Sequence, residues 1–575
     1  MRTLVRRSLV LATLLALLLG VVGTAAPIAS AAQATSTRVA GINIDATTIP
    51  QLQALMNRHR LSSVQLVQFY LHRIQRLNPR LHAVITVSRT ALADARRADA
   101  ARRRGDHRPL LGIPVLVKDN VNTTGMPTTA GSWALAGSRP SDAFIVQKLR
   151  AAGAIIIAKA NLSEWANFRS NPSSSGWSGI GGQTNMPYVL DRNPCGSSSG
   201  TGSGIAADLA TVGIGTETDG SVVCPAGANG IVGIKPTVGL WSRAGIIPIT
   251  ADQDTAGPMT RNVTDAAVVL GALTGIDPND PATAAQAGHA FTNYTQFLDA
   301  QALEGKRIGI WRAGTYGPDT KDLVEPILAD VIDVLESQGA TVIDPTNIDL
   351  SAAGANEFTA LLCEFKTDIA TYLQTYTAAG YPKTLKDLID FNTAHQGLEG
   401  PWDSELWEIA DATGGRAAPD CQAARAAATS GTQAAVDGLM AANNLDAIVG
   451  ITNGPAWVTS SDPELGDLAG VGKNFELFIG NSTASAVSGY ATITVPATYV
   501  GPLPIGISFI GGRWSEPEMI AFGYDYEQAT HARVPPRFLP TTSAAGTTAA
   551  RTSARNAEKR AVVPRNHGRA FLRMR

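Results

Sequence analysis

The chain lacks a charge imbalance: 47 Lys and Arg stand against 48 Asp and Glu in 575 residues, for a formal net charge of −1. Such a surface projects no long-range field toward nucleic acid or an anionic membrane, which points to small, neutral partners. Cysteine is scarce as well. The four residues Cys195, Cys224, Cys363 and Cys421 show neither C-x-x-C spacing nor grouping with histidine, which excludes a sequence-evident zinc site. Cys195 and Cys224 flank two Gly/Ser loops and a bridge between them is open, although small buried thiols beside tight turns are the simpler reading. Only eight histidines occur, none in a motif, so the usual base of a serine hydrolase is missing. His59, His72, His82 and His107 fall in a polar helical region, His289 and His395 in loops, and His531 and His567 near or in the tail. There is no internal repeat, and no Pro- or Ser-rich linker interrupts the stretch from about Arg38 to Leu539.

What is present suits one large globular unit, with 44% hydrophobic and 17% charged residues and 56 glycines. Residues 1–31 place Arg2, Arg6 and Arg7 ahead of an apolar run from Leu9 to Val22 and end on Ala29-Ser30-Ala31. This reads as a secretory signal, the run being short for a membrane-spanning helix. Arg6-Arg7 before Ser8-Leu9 is also compatible with twin-arginine export, so the export route stays open. Residues 32–105 form a helical part: Ser62-Ser63 caps a stretch with Val64, Val67, Leu71 and Ile74 at helical spacing, and Thr90 to Arg104 is helical. In residues 106–540 strands at Leu111–Val117 and Ala154–Ala158 alternate with a helix at Asp142–Ala152. The rhythm returns at Arg307–Trp311, Asp322–Ser337 and Ala340–Ile343, with further strands near Ala447–Gly450, Ala491–Val495 and Gly506–Ile510. An α/β fold with a large sheet covered by helices follows. Residues 541–575 carry eight basic residues against one acidic and read as a disordered, solvated tail.

Chemistry concentrates between Pro194 and Pro225, where Gly/Ser loops bracket a small-residue helix. Glycine lets backbone N–H groups approach a substrate carbonyl, which leaves serines as candidate nucleophiles. Gly196-Ser197-Ser198-Ser199-Gly200 matches the G-x-S-x-G elbow with Ser198 at its centre, but any Gly/Ser-rich loop meets that pattern and Asn193-Pro194, not a strand, leads into it. Without histidine, the remaining base is a lysine held neutral in a dry pocket. Lys118 ends an apolar strand, and alternation turns Asp119 to the other face. Its reference pKa is about 10.4, and bringing it near neutrality requires roughly 4 kcal/mol of disfavour for the ammonium. From position alone, a strand-end lysine reaching solvent is the simpler reading.

Four ordered blocks alter that balance: Gly112-Ile-Pro-Val-Leu-Val-Lys118, Gly196-Ser-Ser-Ser-Gly200, Gly215-Thr-Glu-Thr-Asp-Gly-Ser221 and Gly233-Ile-Lys-Pro-Thr-Val-Gly239. In order and spacing they resemble the amidase signature family over roughly Ile49 to Thr530. The wording of Asn161 to Phe168, NPCGSSSG, GTETDGS and SRAGIIP is most similar to its bacterial peptide amidases. The resemblance implies a single amidase-signature domain with a mixed, twisted central sheet, and a Ser-cisSer-Lys triad with Ser221 as nucleophile, Ser197 as bridging serine after a cis Gly196–Ser197 bond, and Lys118 as base. It also implies an oxyanion hole from the backbone of Thr218, Asp219, Gly220 and Ser221, with no metal or cofactor. The expected substrates are small-molecule or peptide amides, foremost C-terminal peptide amides; aryl, acyl or amino-acid amides, or a non-catalytic subunit of the same fold, are the alternatives. Where relatives carry Gly-Gly-Ser-Ile-Arg, this chain reads Asp219-Gly-Ser-Val-Val223, so a cation for acidic substrates is missing. Pocket walls are expected in Phe358–Tyr376 and Trp402–Trp407. Asp219 must point away from the oxyanion site or bind substrate amine or amide groups.

Overall fold

A computed structural model describes residues 37–312, 321–400, 402–459 and 481–542. The signal-peptide reading of 1–31 and nearly all of the basic tail from 541 onward therefore lie outside the described residues. Eleven strands build one sheet: β1 (Val84–Val87), β2 (Pro114–Lys118), β3 (Ile155–Ala160), β4 (Val212–Glu217), β5 (Val232–Lys235), β6 (Thr255–Thr260), β7 (Arg307–Ile310), β8 (Thr341–Ile343), β9 (Ala447–Ile451), β10 (Thr492–Val500) and β11 (Leu503–Ile510). Their order across the sheet is β8-β7-β9-β11-β10-β5-β6-β4-β2-β3-β1. Parallel pairs lie at both ends, β8-β7-β9 and β4-β2-β3, while the centre and the β1 edge are antiparallel. The sheet is thus mixed, as expected.

The inner strands are buried on both faces, whereas the edge strands β1 and β8 are partly exposed; in β2, Val115, Leu116 and Val117 are all fully buried and the sequence runs apolar without alternation. Strand β2 begins at Pro114 and not at Leu111, because Leu111–Ile113 forms a turn with Gly112 at φ +77°. Ser62 caps the helix Ser63–Leu81 in a reciprocal capping box with Gln65, and Leu66, Val67, Ile74 and Leu77 line its buried face. The N-terminal helical part also supplies β1, which pairs with β3 and joins it to the main sheet. On one side, the long helices Ser351–Tyr376 and Pro419–Asn443 pack against each other. Among the described residues no helix is long and apolar enough to cross a membrane.

The cysteines depart from the simpler expectation of free thiols. Cys195 is bonded to Cys224, and Cys363 to Cys421, the latter pinning the two long helices together. Loops of 29 and 58 residues closed in this way restrict the unfolded chain by about 3.5 and 4 kcal/mol respectively in the loop-entropy account.

Candidate active site

Lys118 closes β2, and its fully buried side chain points along the sheet toward β4. Nζ lies 2.8 Å from Ser197 Oγ, 2.9 Å from Thr216 Oγ1 and 3.1 Å from the Thr216 carbonyl oxygen. Burial pulls its pKa from 10.5 down to about 7, against the opposing attraction of Asp254 and Glu217. Asp119 turns the other way, as strand alternation requires, and pairs with buried Lys159 at 3.2 Å and with Thr129. The solvent-reaching lysine is thereby excluded. A neutral amine has two N–H groups and one lone pair, which matches two bonds to Thr216 and one accepted from the Ser197 hydroxyl.

The two serine loops are knitted together. The Gly196–Ser197 bond is cis, and a Cβ at Gly196 would come within 2.3 Å of Ser163 Oγ, so only glycine fits there. Ser198 N–H donates to the Ser221 carbonyl at 3.2 Å. Ser198 Oγ is itself consumed, donating to the Thr216 carbonyl at 3.0 Å and accepting from Thr216 N–H at 3.2 Å. The elbow pattern centred on Ser198 is therefore a structural pin. Cys195 stands one residue before Gly196 and Cys224 three after Ser221, so their disulfide bolts one serine loop to the other.

Ser221 sits at the start of the turn into the helix Val223–Ala228, after Gly220 at φ +77°. Buried Glu217 shapes this turn, its Oε2 accepting from the N–H groups of Val222 at 2.7 Å and Val223 at 3.0 Å, with the Gly220 backbone bonding the same carboxylate. Among the described residues the N–H groups of Thr218, Asp219 and Ser221 are given to no protein acceptor. The Thr218 hydroxyl donates to Asp254 at 2.6 Å. Asp219 points toward Ser482 and Thr483, whose hydroxyls donate to it, and burial raises its pKa to about 6.

Gly196, Thr218, Asp219 and Ser221 form one side of a cavity of about 480 Å³. Ile249, Phe358, Leu361 and Leu406 supply apolar walls, so both expected wall segments contribute although Trp402 and Trp407 themselves do not line the cavity. Trp165, Ala166 and Asn167 are three successive left-handed residues, a turn that brings Asn167 and Phe168 to the rim. Among the described residues that line it, the ionisable groups are Asp219 and Glu357, with no Lys, Arg or His. Thr216 and Glu217 lie inside the third motif block, which assigns them no role, while Gln253 and Asp254 stand in no motif and reach the site from a distant turn.

This disulfide geometry separates two effects. Replacing Cys363 and Cys421 by serine is expected to lower unfolding stability by about 4 kcal/mol and leave activity near normal. Replacing Cys195 and Cys224 is expected to lower both. Urea titration beside a turnover assay distinguishes them, and equal activity in the two double variants would show that the loops need no bolt.

A mixed sheet that delivers a buried lysine to paired serine loops, beside a cavity with unclaimed backbone donors, is the architecture of an amide-bond hydrolase. The chain belongs to the Amidase family, whose pattern matches residues 65–520. The native peptide amidase of Stenotrophomonas maltophilia superposes with a TM-score of 0.79 at 47% identity, over 86% of this chain and 99% of that one. An Arabidopsis thaliana protein named "probable amidase" is 40% identical over 86% of this chain and 92% of its own length. A glutamyl-tRNA(Gln) amidotransferase subunit from Halorhodospira halophila is 31% identical over 85% of this chain and 99% of its own.

Proposed function

We propose that the chain is a secreted amidase that hydrolyses primary carboxamides, foremost the C-terminal amides of peptides, to the carboxylic acid and ammonia. The observation that carries this reading is the 2.8 Å approach of a dry, near-neutral Lys118 to Ser197 beside the cavity that Ser221 lines. In the proposed sequence Lys118 takes the Ser197 proton, Ser197 takes that of Ser221, and Ser221 Oγ bonds to the amide carbon. The resulting oxyanion is met by backbone N–H groups of Thr218, Asp219, Gly220 and Ser221, with Gly220 shared with Glu217. The proton returns through Ser197 to the leaving nitrogen, ammonia departs, and water releases the acid from the acyl-enzyme. The Ser221 hydroxyl makes no hydrogen bond among the described residues; such relays commonly tighten only around substrate.

The preference for peptide amides is supported by likeness to the peptide amidase and by a cavity wide enough for a side chain or two, with apolar walls. Two carboxylates, Asp219 and Glu357, and no Lys, Arg or His among the described lining residues disfavour acidic substrates. Export is supported by the residue pattern of 1–31 and by two disulfides, which persist in oxidising compartments. The catalytic unit then comprises residues 32–540, its helical part 32–105 included, with 541–575 as an appended tail.

Ammonia release by the mature protein, residues 32–575, is expected with a neutral peptide amide and to exceed that with a simple aryl amide. Turnover of the aryl amide alone would keep the chemistry and reject the peptide preference. Mass analysis of the protein from culture medium is expected to begin at Ala32; an intact N-terminus retained in the cell would reject export.

A further inference from the structure

Directly behind the Ser221 loop, the carbonyl of Thr218 and the N–H of Asp219 belong to one planar peptide unit and point in opposite directions. Whatever holds the carbonyl therefore aims the N–H. Gln253, fully buried, donates from Nε2 to the Thr218 carbonyl at 3.0 Å and to Glu357 Oε1 at 2.6 Å. Its Oε1 accepts from Arg425 Nη1 at 2.9 Å. A guanidinium has no acceptor, so the oxygen must face Arg425 and the nitrogen must face Thr218 and Glu357. Arg425 is fixed in turn by a two-pronged bond to Glu364, 2.8 Å at Nε and 2.7 Å at Nη2. Both amide hydrogens are thus committed, and a flip of the side-chain amide would set two donors against each other and two acceptors against a third.

Gln253 does not line the cavity, whereas Thr218 and Asp219 do. With its carbonyl bound at the back, the peptide turns the unclaimed Asp219 N–H away from Gln253. The neighbouring Asp254 holds the Thr218 hydroxyl at 2.6 Å, so two consecutive residues grip Thr218 at its backbone and its side chain.

We propose that Gln253 is a positioning residue of the oxyanion site: it locks the Thr218–Asp219 peptide so that the Asp219 N–H meets the developing negative charge, and through Glu357 it ties that peptide to the pocket-wall helix Ser351–Tyr376. The inference rests on the reading of the Thr218–Ser221 backbone as oxyanion donors. Its energetic logic is preorganisation: a peptide free to rotate must be reoriented at the moment of reaction, and part of the stabilisation is lost. Only a small effect is expected on ground-state binding, because Gln253 is not among the residues that line the cavity.

The test uses the full chain with Gln253→Met and the nearly isosteric Gln253→Glu, beside Ser221→Ala. For Gln253→Met, kcat is expected to fall about 30–100-fold with KM within about 2-fold, somewhat short of the roughly 10²–10³-fold loss for an oxyanion donor removed outright. The inhibition constant of a peptide aldehyde, whose carbonyl carbon takes the Ser221 oxygen and leaves an oxyanion, is expected to rise in step. That of the product peptide acid is expected to stay constant. In Gln253→Glu a carboxylate faces Glu357 and a carbonyl, so the deficit relative to wild type is expected to deepen as pH rises and to shrink where the new acid is protonated and again has a donor. If Gln253→Met does not fold, Gln253→Glu carries the comparison. Full kcat in the folded variants would overturn the proposal, as would a product-acid constant that moves as far as the aldehyde constant. Turnover surviving in Ser221→Ala would instead bring down the reading on which it rests.

Discussion

Ser221→Ala is expected to lower amide turnover by at least about 10⁴-fold while leaving the melting temperature within a degree or two of wild type. The size of the loss follows from the proposed covalent step: without Oγ there is no acyl-enzyme, and only the oxyanion donors and binding remain to assist water. The small structural effect follows from the environment. The Ser221 hydroxyl holds no other element in place among the described residues, whereas Glu217 fixes the turn through the backbone of Val222 and Val223, which alanine preserves. Ser198→Ala offers the contrast. Its hydroxyl ties the first serine loop to the end of β4 through both backbone groups of Thr216, so its removal is expected to lower stability by about 1–3 kcal/mol, because the buried Thr216 N–H loses this acceptor while the carbonyl keeps only Lys118 Nζ. A serine-directed covalent probe checks the assignment by labelling wild type and Ser198→Ala at Ser221 and leaving Ser221→Ala unlabelled. Labelling of Ser221→Ala at Ser197 or Ser198 would relocate the nucleophile.

The difference between these two serines is only partly legible in the sequence. Composition and spacing identify an α/β sheet and place Lys118 at a strand end, because β2 and β3 are runs of apolar residues bounded by turns. Strands β4, β5 and β6 escape such a reading, since glycine and proline interrupt them, as in VGIGTE and TAGPMT; their pairing is decided by tertiary partners. The long helices over 351–376 and 419–443 also pass unnoticed, being rich in alanine with a weak apolar period. Residues that carry the proposed chemistry were legible only as family motifs. The groups that tune them were not, because Thr216 meets Lys118 across 98 residues and Gln253 meets Thr218 across 35. Cys195 and Cys224 flank the serine loops and left a bridge open, but Cys363 and Cys421 gave no sign of theirs, which depends on the helix Pro419–Asn443 lying beside Ser351–Tyr376.

Lys118→Met is the second large effect, expected to remove at least about 10³-fold of turnover while raising stability at acid pH. The same cause produces both. Burial sets the lysine near 7 instead of 10.5, which corresponds to about 5 kcal/mol of disfavour for the buried ammonium relative to the unfolded chain. Between about pH 7 and 10.5 the unfolded chain binds the proton that the folded protein has released, so this contribution to stability improves as pH rises through that window. Below about pH 7 both states are protonated and the full penalty applies, a net figure in which attraction to Asp254 and Glu217 is already included. Methionine carries no charge and abolishes this dependence, at the loss of hydrogen bonds to Ser197 and Thr216. Activity follows the free base: kcat/KM of wild type is expected to rise with pH and reach half its plateau near 7. Asp254 and Asp219, both raised to about 6 by burial, take up protons lower on the same limb and steepen it. A kcat/KM profile between pH 5 and 9 on a neutral peptide amide, which does not itself titrate there, reads these groups in the free protein. A limb centred near 7 supports Lys118 as the base; a profile level from 5.5 to 8.5 would require the proton acceptor to be another group.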